Sequence, residues 1–196
     1  MKASMKSSLF LGTLILVISA TLGIVNSLVR PLITQRQIDQ QNAAYLDVLD
    51  LSSSTGFVLK PVASLSPELT DQGVLKILTL TNEISDELVG TAYELTTSGW
   101  GGTITFLLGM RDDIYTGLKI IEQHETRGIG DVLLDGLETL IEGVSVTDID
   151  FVQSVISAYI LQETLSVTFA NVTRSAMVRV IEVAQTDYVA RRGMNP

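Results

Sequence analysis

Gly99 to Asp131 reads GWGGTITFLLGMRDDIYTGLKIIEQHETRGIGD, and the fold class follows from it. Gly99-Trp100-Gly101-Gly102 is a glycine-rich turn in which the backbone takes positive φ at little steric cost. From Thr103 to Met110 the apolar residues Ile104, Phe106 and Leu108 recur at every second position, which predicts a strand with one buried face. Arg111-Asp112-Asp113 supplies a polar turn, and Tyr115 to Glu122 returns as a second β-rich run. Together they predict an antiparallel hairpin. Glu125 to Asp131 then forms a polar, glycine-rich loop after the strand, with NH groups suited to an anion or a ring edge.

Upstream of the hairpin, Leu75 to Thr81 and Leu88 to Thr96 are strand candidates separated by the acidic turn Asn82 to Glu87. Tyr93 and Leu95, with Val89 or Ala92, supply the alternation, for a sheet of about four strands. Phe57 to Gly73, with Pro61 and Pro67, reads as a weakly patterned connector.

Downstream, Asp131 is placed to cap a helix whose stripe is Leu133, Leu134, Leu137, Leu140 and Ile141, with Gly143 as its stop. Val144 to Val167 supports two readings. Ile149, Val152, Ile156 and Tyr159 fit a helix, while Val155-Ile156 and Leu165-Ser166-Val167 fit strands. Asn171 or Thr173 begins the last helix, with Val172, Ala176, Met177, Val180, Ile181 and Ala184 on one face and Arg179, Glu182 and Gln185 elsewhere. Arg191 and Arg192 suit its negative end, and Gly193 follows.

Leu9 to Val29 is an uncharged run of 21 residues. As a helix it would span roughly 32 Å, close to a bilayer core. A cleaved signal peptide competes with a retained anchor. The run exceeds the usual apolar region of such a peptide and no clean Ala-x-Ala site follows, so a retained transmembrane helix is expected. Gly12, Ser19, Gly23 and Ser27 would permit close helix packing, or reflect the ordinary tolerance of small residues in membrane helices. After Pro31, Ile38, Tyr45, Leu46 and Leu49 recur at helical spacing over residues 33–51, as a juxtamembrane helix holding the domain off the bilayer, and Ser52 to Gly56 ends it as a loop.

Composition narrows the chemistry. The 196-residue chain has no cysteine, which excludes disulfides, thiolate catalysis and cysteine-bound metal, and one histidine, which excludes a histidine metal cluster. Hydrophobic residues make up 46% and mean hydropathy is +0.36. A net charge of −9 argues against a broad nucleic-acid surface. Asp112-Asp113, and Asp148 with Asp150, are carboxylate pairs that turn chemistry explains. No serine–histidine–aspartate spacing and no Walker-type phosphate loop occurs, so neither a catalytic residue nor a metal ligand is expected.

The turn Gly99-Trp100-Gly101-Gly102, the step Leu108-Gly109 and the segment His124-Glu125-Thr126-Arg127-Gly128-Ile129-Gly130 resemble, in order and spacing, the FMN-binding domain family. That family includes the G subunit of Rnf complexes and the C subunit of sodium-pumping NADH:quinone reductases. Arg127 stands where the family has proline, and Arg30-Pro31-Leu32-Ile33 also looks like the family. The resemblance implies an N-inside anchor with the domain outside the cell membrane. It also implies a role as a subunit of an ion-translocating electron-transport complex, with other membrane subunits and the bilayer as partners. A flavin-free structural or regulatory subunit of the same complex is the alternative.

In the family a threonine just before the last helix carries FMN as a phosphoester. The matching segment here is Thr168 to Met177, with Asn171 at the acceptor position and Phe169 in place of glycine. An amide cannot form that ester, so the resemblance implies FMN held without a covalent bond. Arg174 is either a phosphate partner or a solvated arginine on the first helical turn, and Trp100 either stacks on a flavin ring or plugs the sheet edge. Asn171-Val172-Thr173 also matches a glycosylation triplet. The cofactor-binding residues expected are Trp100, Glu125, Thr126, Gly128, Gly130, Thr168, Asn171 and Thr173. The expected fold is α+β, with a transmembrane anchor at residues 1–30, a juxtamembrane helix and linker at 31–56, and a small antiparallel sheet with packed helices at 57–196.

Overall fold

The computed structural model describes residue 19, residues 42–51, 56–124, 134, 137, 138, 140–147, 154 and 167–193, with the backbone alone at 167–170. The chain divides into two compact units, Met1–Ala43 and Ala44–Pro196. Ser19, Asn42 and Ala43 are the described residues of the first, each helical and exposed.

The centre of the second unit is a five-stranded antiparallel sheet in sequence order: β1 (Phe57–Pro61), β2 (Val74–Asn82), β3 (Leu88–Ser98), β4 (Thr103–Arg111) and β5 (Ile114–Gln123). A short helix, α1 (Pro67–Asp71), links β1 to β2, and a long helix, α2 (Val167–Gly193), follows the sheet. The β4–β5 hairpin is the one the alternation predicts. Asp112 and Asp113 occupy its turn with φ of 54° and 64°, the left-handed pair of a tight two-residue hairpin turn.

The connector expected over Phe57 to Gly73 is instead β1 and α1. Phe57 pairs with Asn82 and Lys60 with Thr79, so β1 is an edge strand. The edge tolerates Pro61 at its end, where a missing NH costs no ladder bond. Ser66 caps α1 by accepting from the Leu69 NH at 3.3 Å, with Pro67 in the first turn.

Pleating sends alternate residues to two separate cores. Ile104, Phe106, Leu108 and Met110 of β4 face the side covered by α2, where Met177, Val180, Ile181, Ala184 and Tyr188 are buried with Leu134, Leu137 and Ile141. Leu107, Leu78, Leu80 and Ala92 face the other side, which Tyr45, Val48 and Leu49 close. Residues 42–48 are helical, and from Tyr45 onward they seal this second face. Residues 33–41 lie outside the described residues.

The close docking is allowed by glycine. A Cβ on Gly109 would lie 1.8 Å from the Val48 carbonyl oxygen, and one on its cross-strand neighbour Gly117 would lie 3.1 Å from the same atom. The Thr116 hydroxyl donates to that oxygen at 2.6 Å, and Arg111 Nη1 donates to the Leu49 carbonyl at 2.7 Å.

On the α2 side, Gly143 ends the helical residues near 140 with φ of 77° and donates to the Tyr115 carbonyl at 2.8 Å. Val146 donates to the Asp113 carbonyl at 2.8 Å, so residues 144–146 run along the outer edge of β5. Residues 148–166, in the stretch where helix and strand both fitted the sequence, lie outside the described residues save Ser154.

The expectation of a membrane anchor is corrected. Among the described residues no helix is long and apolar enough to cross a membrane. The long helix α2 has the length, about 40 Å at 1.5 Å per residue, but carries Arg174, Arg179, Glu182, Asp187, Arg191 and Arg192. Leu9 to Val29, where the span was expected, lies outside the described residues apart from Ser19. The single-pass topology, and the fold class that began with a transmembrane helix, are withdrawn. The fold is an antiparallel sheet with packed helices.

Candidate functional site

Where the end of β3 meets the start of α2, the chain opens a cleft of about 1040 Å³. Its walls are the corner at residues 70–73, the β3 residues 96–98, and a stripe of α2 running through Asn171, Ser175 and Arg179. Gly73 shapes the corner: at φ of 97° its NH donates to Thr70 and its carbonyl accepts from the Thr96 NH at 2.8 Å. A Cβ there would lie 2.3 Å from the Thr96 carbonyl oxygen.

Hydrogen bonds from β3 and the glycine turn hold α2 to the sheet at this end. The Thr97 hydroxyl donates to the Ala176 carbonyl at 3.2 Å. The Trp100 NH donates to Thr173 Oγ1 at 3.0 Å, with Thr173 1% exposed. The glycine turn is therefore pinned directly to the helix, while Trp100 and Val172 both stay exposed. Val172, which its spacing assigned to the core stripe, instead lines the cleft.

At its other end α2 is tied down by buried polar groups. The Tyr93 hydroxyl donates to Asp187 at 2.9 Å, and Arg191 pairs with the same carboxylate at 2.5 Å. Burial, with the Asp187 charge beside it, pushes the Tyr93 phenol far above its ordinary value. The hydrogen bond to Asp187 holds the Arg191 guanidinium above its own. Gln185, read as lying off the core face, is buried and donates to the Val146 carbonyl.

Of the expected site residues, Trp100 and Thr173 are joined by a hydrogen bond, and Asn171 lines the cleft. Glu125, Thr126, Gly128 and Gly130 lie outside the described residues. Thr168 is helical, and its side chain lies outside the description. The start of α2 is corrected. The helix begins at Val167, so Asn171 sits in its second turn, where its NH belongs to the helix ladder rather than to the unpaired first turn. The glycosylation triplet lies inside the same helix with Thr173 buried, which leaves it no exposed extended backbone. Sequence reasoning missed Ser175 and Arg179 as cleft residues. The available signal was the polar stripe Asn171, Ser175 and Arg179, which repeats at helical spacing beside the apolar one.

The FMN-binding domain family matches residues 99–185, from the glycine turn through β4 and β5 into α2. An FMN-binding domain is present. The match covers less than half of the chain and ties it to neither the Rnf G subunit nor the reductase C subunit. No curated protein matches the chain. The role as a membrane-anchored subunit of an ion-translocating complex is withdrawn with the span it required, among the described residues.

The residues of the FMN-binding domain fit the cofactor in one mode and not in the other. Asn171 offers an amide where an ester needs a hydroxyl, so no phosphoester forms there. The cleft combines hydroxyls at 96–98 and Ser175, an arginine, and exposed apolar surface at Val172. That donor set suits an aromatic, polyhydroxylated phosphate ester, in a volume at the upper end of the range of about 300–1,000 Å³ typical of ligand sites.

Proposed function

We propose that this protein binds FMN without a covalent bond, in the cleft between the end of β3 and the first turns of α2. The observation that carries the reading is the cleft itself, built against a helix of the FMN-binding domain with Asn171 on its wall. Val172 would give the flavin ring apolar surface. The hydroxyls of Thr96, Thr97, Ser98 and Ser175 would meet the ribityl chain. Bound there, FMN supplies one- or two-electron transfer, and the protein supplies position and electrostatics. Kinship with the G and C subunits named above rests on the Gly99 to Gly102 and His124 to Gly130 motifs. It is inferred for the domain alone, with no assembly or membrane role attached.

The test is direct. Purified protein is titrated with FMN while flavin fluorescence is followed, then denatured and run on a gel. Quenching on titration, with a dark gel band and flavin free in solution, is the expected result. A fluorescent band would show covalent flavin and defeat the reading of Asn171. Absence of quenching at any FMN concentration would defeat the cofactor assignment.

A further inference from the structure

We propose that Arg179 is the phosphate anchor of the cleft, so that this chain reads the 5′-phosphate of FMN one helical stretch beyond Asn171. The inference rests on the FMN reading above and deepens it.

Arg179 is the one cation among the described residues that line the cleft. It is exposed, and among the described residues it has no hydrogen-bond or ion-pair partner. The contrast with other arginines is plain: Arg111 is held by Asp50 and Asp112, Arg191 by Asp187, and Arg192 by Asp113. An arginine left without a carboxylate, on the wall of a concave site, has its planar fork available for a phosphate. The protein carries a net charge of −9, so a dianionic ligand needs a local cation to offset the field of the whole molecule. Asp71, at the end of α1, also lines the cleft. Its charge repels a phosphate there and favours placement against α2.

Spacing supports the assignment. Val172 and Arg179 are seven residues apart on one helix face, about 10.5 Å along the axis. Trp100 is pinned at the Thr173 end of that stretch. The helix therefore offers apolar surface at one end and a guanidinium at the other, with Ser175 between them, in the order of ring, ribityl chain and phosphate. Arg174 does not line the cleft. A charge-assisted hydrogen bond from Arg179 thus takes the place of the ester that Asn171 cannot form.

The experiment compares FMN with riboflavin, which lacks only the phosphate, on the whole protein and on Arg179→Ala and Arg179→Lys. Wild type is expected to bind FMN more tightly than riboflavin by about tenfold to a hundredfold, the range of a charged hydrogen-bond pair. Arg179→Ala brings FMN down to the level of riboflavin and leaves riboflavin unchanged, which also shows that the cleft is intact. Arg179→Lys restores part of the difference. Inorganic phosphate competes with FMN on wild type and not on Arg179→Ala. Equal affinity of wild type for the two flavins, or an equal loss of both in Arg179→Ala, overturns the anchor while leaving FMN binding in place. Failure of both flavins to bind wild type overturns the cofactor reading and the anchor with it.

Discussion

Gly109 has a packing role that no local pattern reveals. In the sequence it belongs to a Leu-Gly step within a strand. In the structure it is the point where the Val48 carbonyl meets the sheet, and Val48 lies on a distant part of the chain. Gly109→Ala would place a methyl group 1.8 Å from that oxygen, against a backbone that Thr116 and Arg111 already hold. The helical residues 44–48 must lift, and a loss of about 1–3 kcal/mol in urea unfolding is expected. Gly117→Ala, whose methyl group would lie 3.1 Å from the same oxygen, should cost less. Equal losses in the two variants would show that the seat is not at Gly109. Thr173 gives a second test at this scale. Thr173→Val keeps the shape but removes the acceptor of the Trp100 NH, at a cost of about 1 kcal/mol. Trp100 is the sole tryptophan, so a red shift of the intrinsic emission reports the freed turn.

At the scale of elements, legibility followed periodicity. The β4–β5 hairpin could be read because Ile104, Phe106 and Leu108 alternate without interruption and two aspartates close the turn. β1 could not, because an edge strand buries little, and Phe57 to Pro61 carries no sustained alternation. In α2 the core stripe Met177, Val180, Ile181 and Ala184 was legible, whereas Val172 and Gln185 were exchanged. Tertiary partners decided both: a cleft for the valine, and the Val146 carbonyl for the glutamine. Only the α2 wall of the cleft was within reach of the sequence, at Asn171 and at the helical spacing of Ser175 and Arg179, because its other walls come from parts of the chain that spacing does not join. The far end of α2 depends on Asp187, which accepts from Tyr93 and pairs with Arg191. Asp187→Ala should cost about 1–3 kcal/mol, since it strands a buried phenol and frees a guanidinium. Asp187→Asn keeps an acceptor and should cost less. In the Tyr93→Phe background the effect of Asp187→Ala should shrink, and full additivity would show that the two groups are not coupled.

Across the whole molecule, tyrosine ionisation links both faces of the sheet to pH. Tyr45 closes one face and donates to Glu94 at 2.6 Å; Tyr93 and Tyr115 lie in the core on the other. All three phenols are pushed far above their ordinary value, first by burial and then by a neighbouring carboxylate: Glu94 for Tyr45, Asp187 for Tyr93 and Glu182 for Tyr115. In the unfolded chain a phenol loses its proton near pH 10. Above that pH the folded protein holds protons that the unfolded chain has released, so stability falls as pH rises; below it the two states hold the same number and the contribution is intact. Each of Tyr93 and Tyr115 steepens the fall by up to about 1.4 kcal/mol per pH unit. Tyr45, nearer the margin of its face, contributes less. The urea midpoint should hold steady from pH 8 to near pH 10 and then drop, with tyrosinate absorbance for these three residues appearing only as the fold is lost. In Tyr93→Phe the drop should be shallower. Full tyrosine ionisation near pH 10 in a protein that stays folded would show that water reaches these phenols, and that the two cores are not closed as the sheet and helices imply.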